Sequence, residues 1–293
     1  MSEIFEGVIP VMPTPFSSDG DIDFPSYLNA VETAIRFGVH GIVMFGLASE
    51  YYKLTDLERE QLRDVLIQQV SGRVPVIISV TSHATRLAVM DAIHAAQAGA
   101  DAIMVLPPFF LSPALEAIQH HILSIAHAVS VPIIVQYAPL QTSRFIDAEI
   151  FAALCREAPN IECVKVDMVP AGPIVAALRS LNVPSLVGYL GLELPEDFSQ
   201  GAQGVMPTLS LCPMLLEIWR NLSMDLAGAR AMHESLLPLL RQMMQSVETL
   251  IASEKSLLVD QGILKTGHCR MPTYELSVSE RSKLKSQATR LEK

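Results

Sequence analysis

Among 293 residues, no apolar run approaches the roughly 18 that a membrane-spanning helix needs. The opening stretch MSEIFEGVIP carries two glutamates and no apolar core of the secretory type, so a soluble, cytoplasmic protein is expected. Basic residues are scarce as well: 21 Lys and Arg face 31 Asp and Glu, a formal net charge of −10, with no Lys/Arg cluster. That balance argues against nucleic acid and anionic membrane surfaces as natural partners. Small acids can still bind in a pocket that is positive only locally.

The four cysteines, Cys155, Cys163, Cys212 and Cys269, form no CxxC pair and lack the spacing of a zinc site, which leaves small, buried, reduced thiols as their reading. The acidic run DGDID, Asp19 to Asp23, opens like a calcium loop, but Ala30 stands where position twelve requires a bidentate glutamate. His120, His121 and His127 lack HExxH spacing. No GxGxxG fingerprint follows the first strand-like run, which argues against dinucleotide binding. Neither a metal nor a cofactor is expected.

What the chain does have is a core: half of its residues are hydrophobic and only 18% are charged. Short β-branched runs recur as GVIPVM (7–12), GIVMF (41–45), VPVIIS (74–79), DAIMVL (101–106), VPIIVQ (131–136), ECVKV (162–166), PSLVG (184–188) and GVMP (204–207). Helical patterns separate them. Thr55 and Glu58 form a capping box ahead of one, and Gly99 closes another. Eight strands at roughly 25 to 30 residue spacing, each followed by a helix, predict an α/β fold of the (β/α)8 TIM barrel type rather than an open doubly wound sheet. Beyond about residue 211 the β signal stops, and PMLLEIWRNL, LAGARAMHESLLPLLRQMMQSVETLI and SEKSLLVDQGIL read as helices. The expected division is a barrel over 1–225 and a helical appendix over 226–293 packed on it. Met232, Met243 and Met244 read as core or subunit contacts.

One charge interrupts the runs. In NIECVKVDMV (160–169), strand alternation sends Cys163, Lys165 and Asp167 to one face and Val164 and Val166 to the other. Desolvating an ammonium costs several kcal/mol, so a lysine in such a run has a partner or a task. A neutral amine attacks a ketone to give a Schiff base, an electron sink for making or breaking the C–C bond beside the carbonyl. An ion pair with Asp167 at the rim accounts for the same local pattern equally well. In a barrel the C-terminal strand ends carry the site, which nominates Gly46 to Glu50, His83, Phe109 and Phe110, Gln136 and Tyr137 alongside Lys165.

Several stretches together give the chain a family resemblance: TPFSSDGDID (14–23), GLASE (46–50), GADAIMVLPPFF (99–110), PIIVQYAP (132–139), VKVD (164–167) and GAQGVMP (201–207). Over nearly its full length the chain resembles the dihydrodipicolinate synthase and N-acetylneuraminate lyase superfamily. The resemblance implies a (β/α)8 barrel with C-terminal helices, Schiff-base chemistry at Lys165 on pyruvate or another 2-oxo acid, and a homo-oligomer, commonly a tetramer. It further implies that the amides around Gly46, Leu47, Ala48 and Ser49 hold a carboxylate, and that Gly188 and Met206 line the pocket with backbone.

The departures are as informative. Where the family carries a tyrosine on the fifth strand, a hydroxyl after the second and, in the synthases, a second tyrosine after the fourth, this chain has Gln136, Leu47 with Ala48, and Phe110. Neither an amide nor a methyl group relays a proton as a phenol does. Tyr137, one place along, reaches the site only if a bulge turns it. Ser49, standing where a glycine is usual, either returns one hydroxyl to the loop or serves a turn. The synthases' arginine after the fifth-strand proline is replaced by Gln141, with Arg144 three residues on, which argues against the lysine-biosynthetic reaction. His83 and Lys53 are further candidate contacts. The resulting reading is a lysine-dependent aldolase or lyase with Lys165 as nucleophile and Gln136 orienting a carbonyl or water. Its rivals are a barrel that has lost turnover and serves as a ligand-binding or oligomeric scaffold, and an imine-forming dehydratase, hydratase or deaminase.

Overall fold

The computed structural model describes residues 3–291. Strands and helices follow one another as β1 (Gly7–Val8), α1 (Phe24–Phe37), β2 (Ile42–Met44), α2 (Asp56–Val70), β3 (Val76–Val80), α3 (Thr85–Ala98), β4 (Ala102–Val105), α4 (Leu115–Ala126), β5 (Ile133–Tyr137), α5 (Pro139–Thr142), α6 (Ala148–Glu157), β6 (Ile161–Val166), α7 (Gly172–Ser180), β7 (Ser185–Val187), α8 (Leu194–Gln200), β8 (Gly204–Val205), α9 (Cys212–Leu222), α10 (Leu226–Met243), α11 (Val247–Asp260) and α12 (Val278–Leu291). Strand and helix alternate through β8 and α9, except that the short α5 precedes α6 between β5 and β6, and the fold class is the (β/α)8 barrel with C-terminal helices. Among the described residues, no helix is long and apolar enough to cross a membrane.

Two compact units divide the chain: the residues up to Gly7 with Pro75–Met206, and Val8–Val74 with the residues from Pro207 onward. In the first unit β3 to β8 form a continuous parallel sheet, each strand beside the next in sequence. Val, Ile and Ala on these strands are buried on both faces, as parallel strands covered by helices require. Register stacks Ser79, Met104, Ile134 and Cys163 into one layer. Two residues further along, on the same face, Gln136 stands opposite Lys165.

In the second unit Val11 bridges both Val43 and Thr208, although the GVIPVM run forms only two residues of regular strand. Pro10 has no N–H to give a ladder and offers only its carbonyl, to Val43. Helix α2 starts at the expected capping box, with Glu58 N–H donating to Thr55 Oγ1 at 3.2 Å and Thr55 N–H to Glu58 Oε2 at 2.8 Å. Asp23 of the DGDID run caps α1 by accepting the Ser26 N–H at 3.1 Å. The stretch 226–251 is not one helix: Ser246 accepts the Thr249 N–H at 3.0 Å and starts α11 as a new element. Helix α12 was not anticipated, and Leu284 is its single buried residue.

Candidate functional site

Lys165 lies near the C-terminal end of β6, with 5% of its surface exposed, beside Asp167 at 7% and Gln136 at 3%. Its Nζ is 3.0 Å from Asp167 Oδ2, and the Gln136 side-chain amide donates to that same oxygen at 2.5 Å. The backbone sets this arrangement: Gln136 and Lys165 are register partners, and the Asp167 N–H donates to Tyr137 O at 2.7 Å. Gly188, which follows β7, completes it. A Cβ there would stand 1.6 Å from Asp167 Oδ1 and 3.3 Å from Lys165 Cε, so any side chain would displace the carboxylate from the lysine. Lys165, Gln136 and Gly188 are thus brought together, and the rim partner Asp167 is part of the same cluster.

Tyr137 is not. It pairs in register with Val166, and its ring packs on Phe151 of α6 at 5.3 Å between centroids, in an edge-on arrangement. The irregularity in this strand pair falls at Ile133 and Ile134, upstream of the tyrosine, so no bulge turns it toward Lys165. Its hydroxyl accepts the Ile146 N–H at 3.5 Å, and burial raises its pKa. The expectation of Tyr137 as a proton donor to the site is therefore corrected: the phenol belongs to the helix-facing side.

Met206 follows β8, is buried, and donates its N–H to Val187 O at 2.8 Å. Phe110 is 79% exposed, beyond β4, while Phe109 packs on the His83 ring at 4.7 Å. Gln141 donates to the Tyr189 hydroxyl at 3.2 Å, and Arg144 donates to Ser112 O at 2.6 Å.

In the second unit the residues after β2 form a tight 3-10 turn, Leu47–Ser49. The Ser49 N–H closes on Gly46 O at 2.9 Å and the Glu50 N–H on Leu47 O at 3.2 Å. Gly46 lies so close to Val11 that a Cβ would meet Val11 Cγ1 at 2.8 Å. Ser49 is fully buried and its hydroxyl donates to Met12 O at 2.6 Å, while Thr14 Oγ1 donates to Ser49 O at 2.6 Å. Of the two roles the sequence allowed for Ser49, this is the turn-holding one. Lys53 pairs with Glu50 at 3.1 Å and Glu248 at 3.4 Å. The turn is anchored from below by Glu50, which is ion-paired with the fully buried Lys255 of α11. Lys255 also donates to His268 O at 2.9 Å and stands 4.4 Å from the centre of the Phe16 ring. Sequence reasoning missed Lys255; the signal available was the Glu254–Lys255 pair flanked on both sides by apolar residues in the helical stretch LIASEKSLLV.

The sequence profile of the Dihydrodipicolinate synthetase family matches residues 4–291. The chain is 28% identical over 297 residues to the L-2-keto-3-deoxyarabonate dehydratase of Azospirillum brasilense, covering 98% of this chain and 94% of that protein. It is 31% identical over 282 residues to the 4-hydroxy-tetrahydrodipicolinate synthase of Rhizobium meliloti, with 94% of each covered. Among solved structures, the dihydrodipicolinate synthase of Aquifex aeolicus superposes with a TM-score of 0.91 at 26% identity, over 98% of both chains.

Proposed function

The chain belongs to the dihydrodipicolinate synthetase family and is a lyase of that family, and on that premise we propose that it forms a Schiff base between Lys165 and pyruvate or another 2-oxo acid. The observation that carries the reading is the lysine itself: a buried amine near the C-terminal end of a barrel strand, beside a glycine whose missing Cβ makes room for its Asp167 partner. Gln136 and Asp167 hold its head group in place. Met206, which follows β8 in the same unit as Lys165, contributes backbone to the pocket. Gln141, which donates to the Tyr189 hydroxyl, stands where the synthases place an arginine, and this counts against the lysine-biosynthetic condensation.

A second reading shares the imine. The Azospirillum brasilense relative is a dehydratase, and an imine at C2 of a 2-keto-3-deoxy acid is an electron sink for loss of water as well as for retro-aldol cleavage. The protein also self-associates through the apolar side chains of Phe110 and Leu111 after β4, Leu140 on α5 and Phe145 after it, all exposed, with the two segments tied together by the Arg144 to Ser112 bond.

Incubation with a panel of 2-keto-3-deoxy sugar acids, followed by NMR of the products, tests the reading. Pyruvate with an aldehyde marks cleavage, and an intact carbon chain short of one water marks dehydration. Both are expected to vanish in Lys165→Ala. Turnover that survives Lys165→Ala contradicts the proposal, and no turnover on any member moves the protein to a ligand-binding scaffold.

A further inference from the structure

The relay tyrosine is missing and Tyr137 faces away, so the site as described lacks a group that moves protons. We propose that Asp167 is that group and that Gln136 positions it; the proposal rests on the imine reading of Lys165. Its Oδ2 is 3.0 Å from Nζ, within reach of the reacting atom in the free enzyme. Gln136, at the strand position of the absent tyrosine, donates to the same oxygen and fixes where it points. An amide donates a hydrogen bond without giving up its proton, whereas a carboxylate both accepts a proton and returns it. Within this buried trio, Asp167 alone can shuttle. The room it occupies is made by Gly188, whose missing Cβ is what allows Oδ1 to lie where it does.

The proton count closes around this carboxylate. Oδ2 takes a proton from the Lys165 ammonium, and the neutral amine adds to the 2-oxo carbon, its lone pair forming the C–N bond as the carbonyl pair moves to oxygen. A proton passes from nitrogen to that oxygen to give the carbinolamine. Asp167 then returns its proton to the hydroxyl, which leaves as water, and the nitrogen pair forms the iminium. The iminium faces a carboxylate, so the ion pair of the free enzyme is restored. In the next step Asp167 removes a proton from the carbon beside the iminium; the C–H pair becomes the enamine double bond and the C=N pair returns to nitrogen. Returning that proton reverses the step. Dehydration passes through such an enamine of the whole substrate, whereas cleavage of the C3–C4 bond, with the C4 hydroxyl giving up its proton as the aldehyde leaves, yields the pyruvate enamine, which takes up the returned proton at carbon.

Exchange of the pyruvate methyl protons in D2O isolates the step, because it requires the enamine and no second substrate. The wild-type protein is expected to incorporate deuterium and to yield a borohydride-reduced adduct on Lys165. Asp167→Asn, with its fold checked by circular dichroism, should keep the adduct after long incubation and lose exchange by about 100-fold or more. Asp167→Ala with added formate should regain exchange, while formate should do nothing for Lys165→Ala. An adduct with undiminished exchange in Asp167→Asn overturns the proposal and leaves Asp167 as a structural counter-ion. Loss of both signals in folded Asp167→Asn, unrescued by formate in Asp167→Ala, overturns it as well. No adduct in the wild-type protein with any 2-oxo acid removes the imine reading itself, and the proposal falls with it.

Discussion

At the scale of single residues, two positions carry sharp expectations. Gly188→Ala puts a methyl group where Asp167 Oδ1 now stands, so either the carboxylate moves or the strand end does. The expected cost is about 1–3 kcal/mol in urea unfolding, with loss of Lys165-dependent turnover. Unchanged turnover in a folded Gly188→Ala would show that the Lys165 to Asp167 contact is dispensable. Asp197 of α8 gives a pH dependence. Burial, helped by the charges of Glu193 and Glu196, lifts its carboxyl from 3.8 to about 7, and its Oδ1 is buried without a hydrogen-bond partner. Between about pH 4 and 7 the native chain holds a proton that the unfolded chain has released, so this group's contribution is full at the acid end and is lost as pH rises through about 7. Asp197→Asn keeps the neutral form, and should exceed the wild-type protein in stability at pH 8 by about 1–3 kcal/mol while matching it near pH 4. Denaturant melts at the two pH values check this, and parallel wild-type and variant profiles would contradict it.

Among the elements, α11 has a role beyond packing. Its Lys255 neutralises Glu50, which directly follows the Leu47–Ser49 turn, so a C-terminal helix holds a loop next to β2. Lys255→Met removes one of the two lysines that neutralise the buried Glu50, leaving it to Lys53 alone, and should cost about 2–4 kcal/mol, of which Glu50→Gln in the same chain recovers a part. Additive losses in urea melts of the two single variants and the double variant would show that the pair is not coupled. The strands were legible because runs such as VPVIIS and VPIIVQ are apolar on both faces, and α2 because Thr55 and Glu58 announce it. The gap between α10 and α11 was hidden: apolar periodicity continues across QMMQSVETL, and a lone serine cap is too common a signal to stop a helix. Around Lys165, the i, i+2 relation to Asp167 was readable from strand alternation, and the same rule pointed Tyr137 away. That Gln136 would meet Asp167 was not readable, because it depends on the register between β5 and β6, which has a one-residue irregularity.

For the whole molecule, self-association and chemistry make separate predictions. Phe110→Lys combined with Phe145→Lys places charge in the exposed apolar patch, and the assembly should shift to monomers in analytical ultracentrifugation. A monomeric wild-type protein, or an assembly indifferent to these changes, would contradict the proposed contact. The measurement that bears most directly on the central claim is the mass of the intact protein after borohydride treatment with pyruvate, followed by peptide mapping. The account predicts one pyruvyl adduct per chain, carried by the peptide containing Lys165 and absent from Lys165→Ala. Folded protein that gains no mass with pyruvate or any other 2-oxo acid, or that gains it on a different lysine, would contradict it.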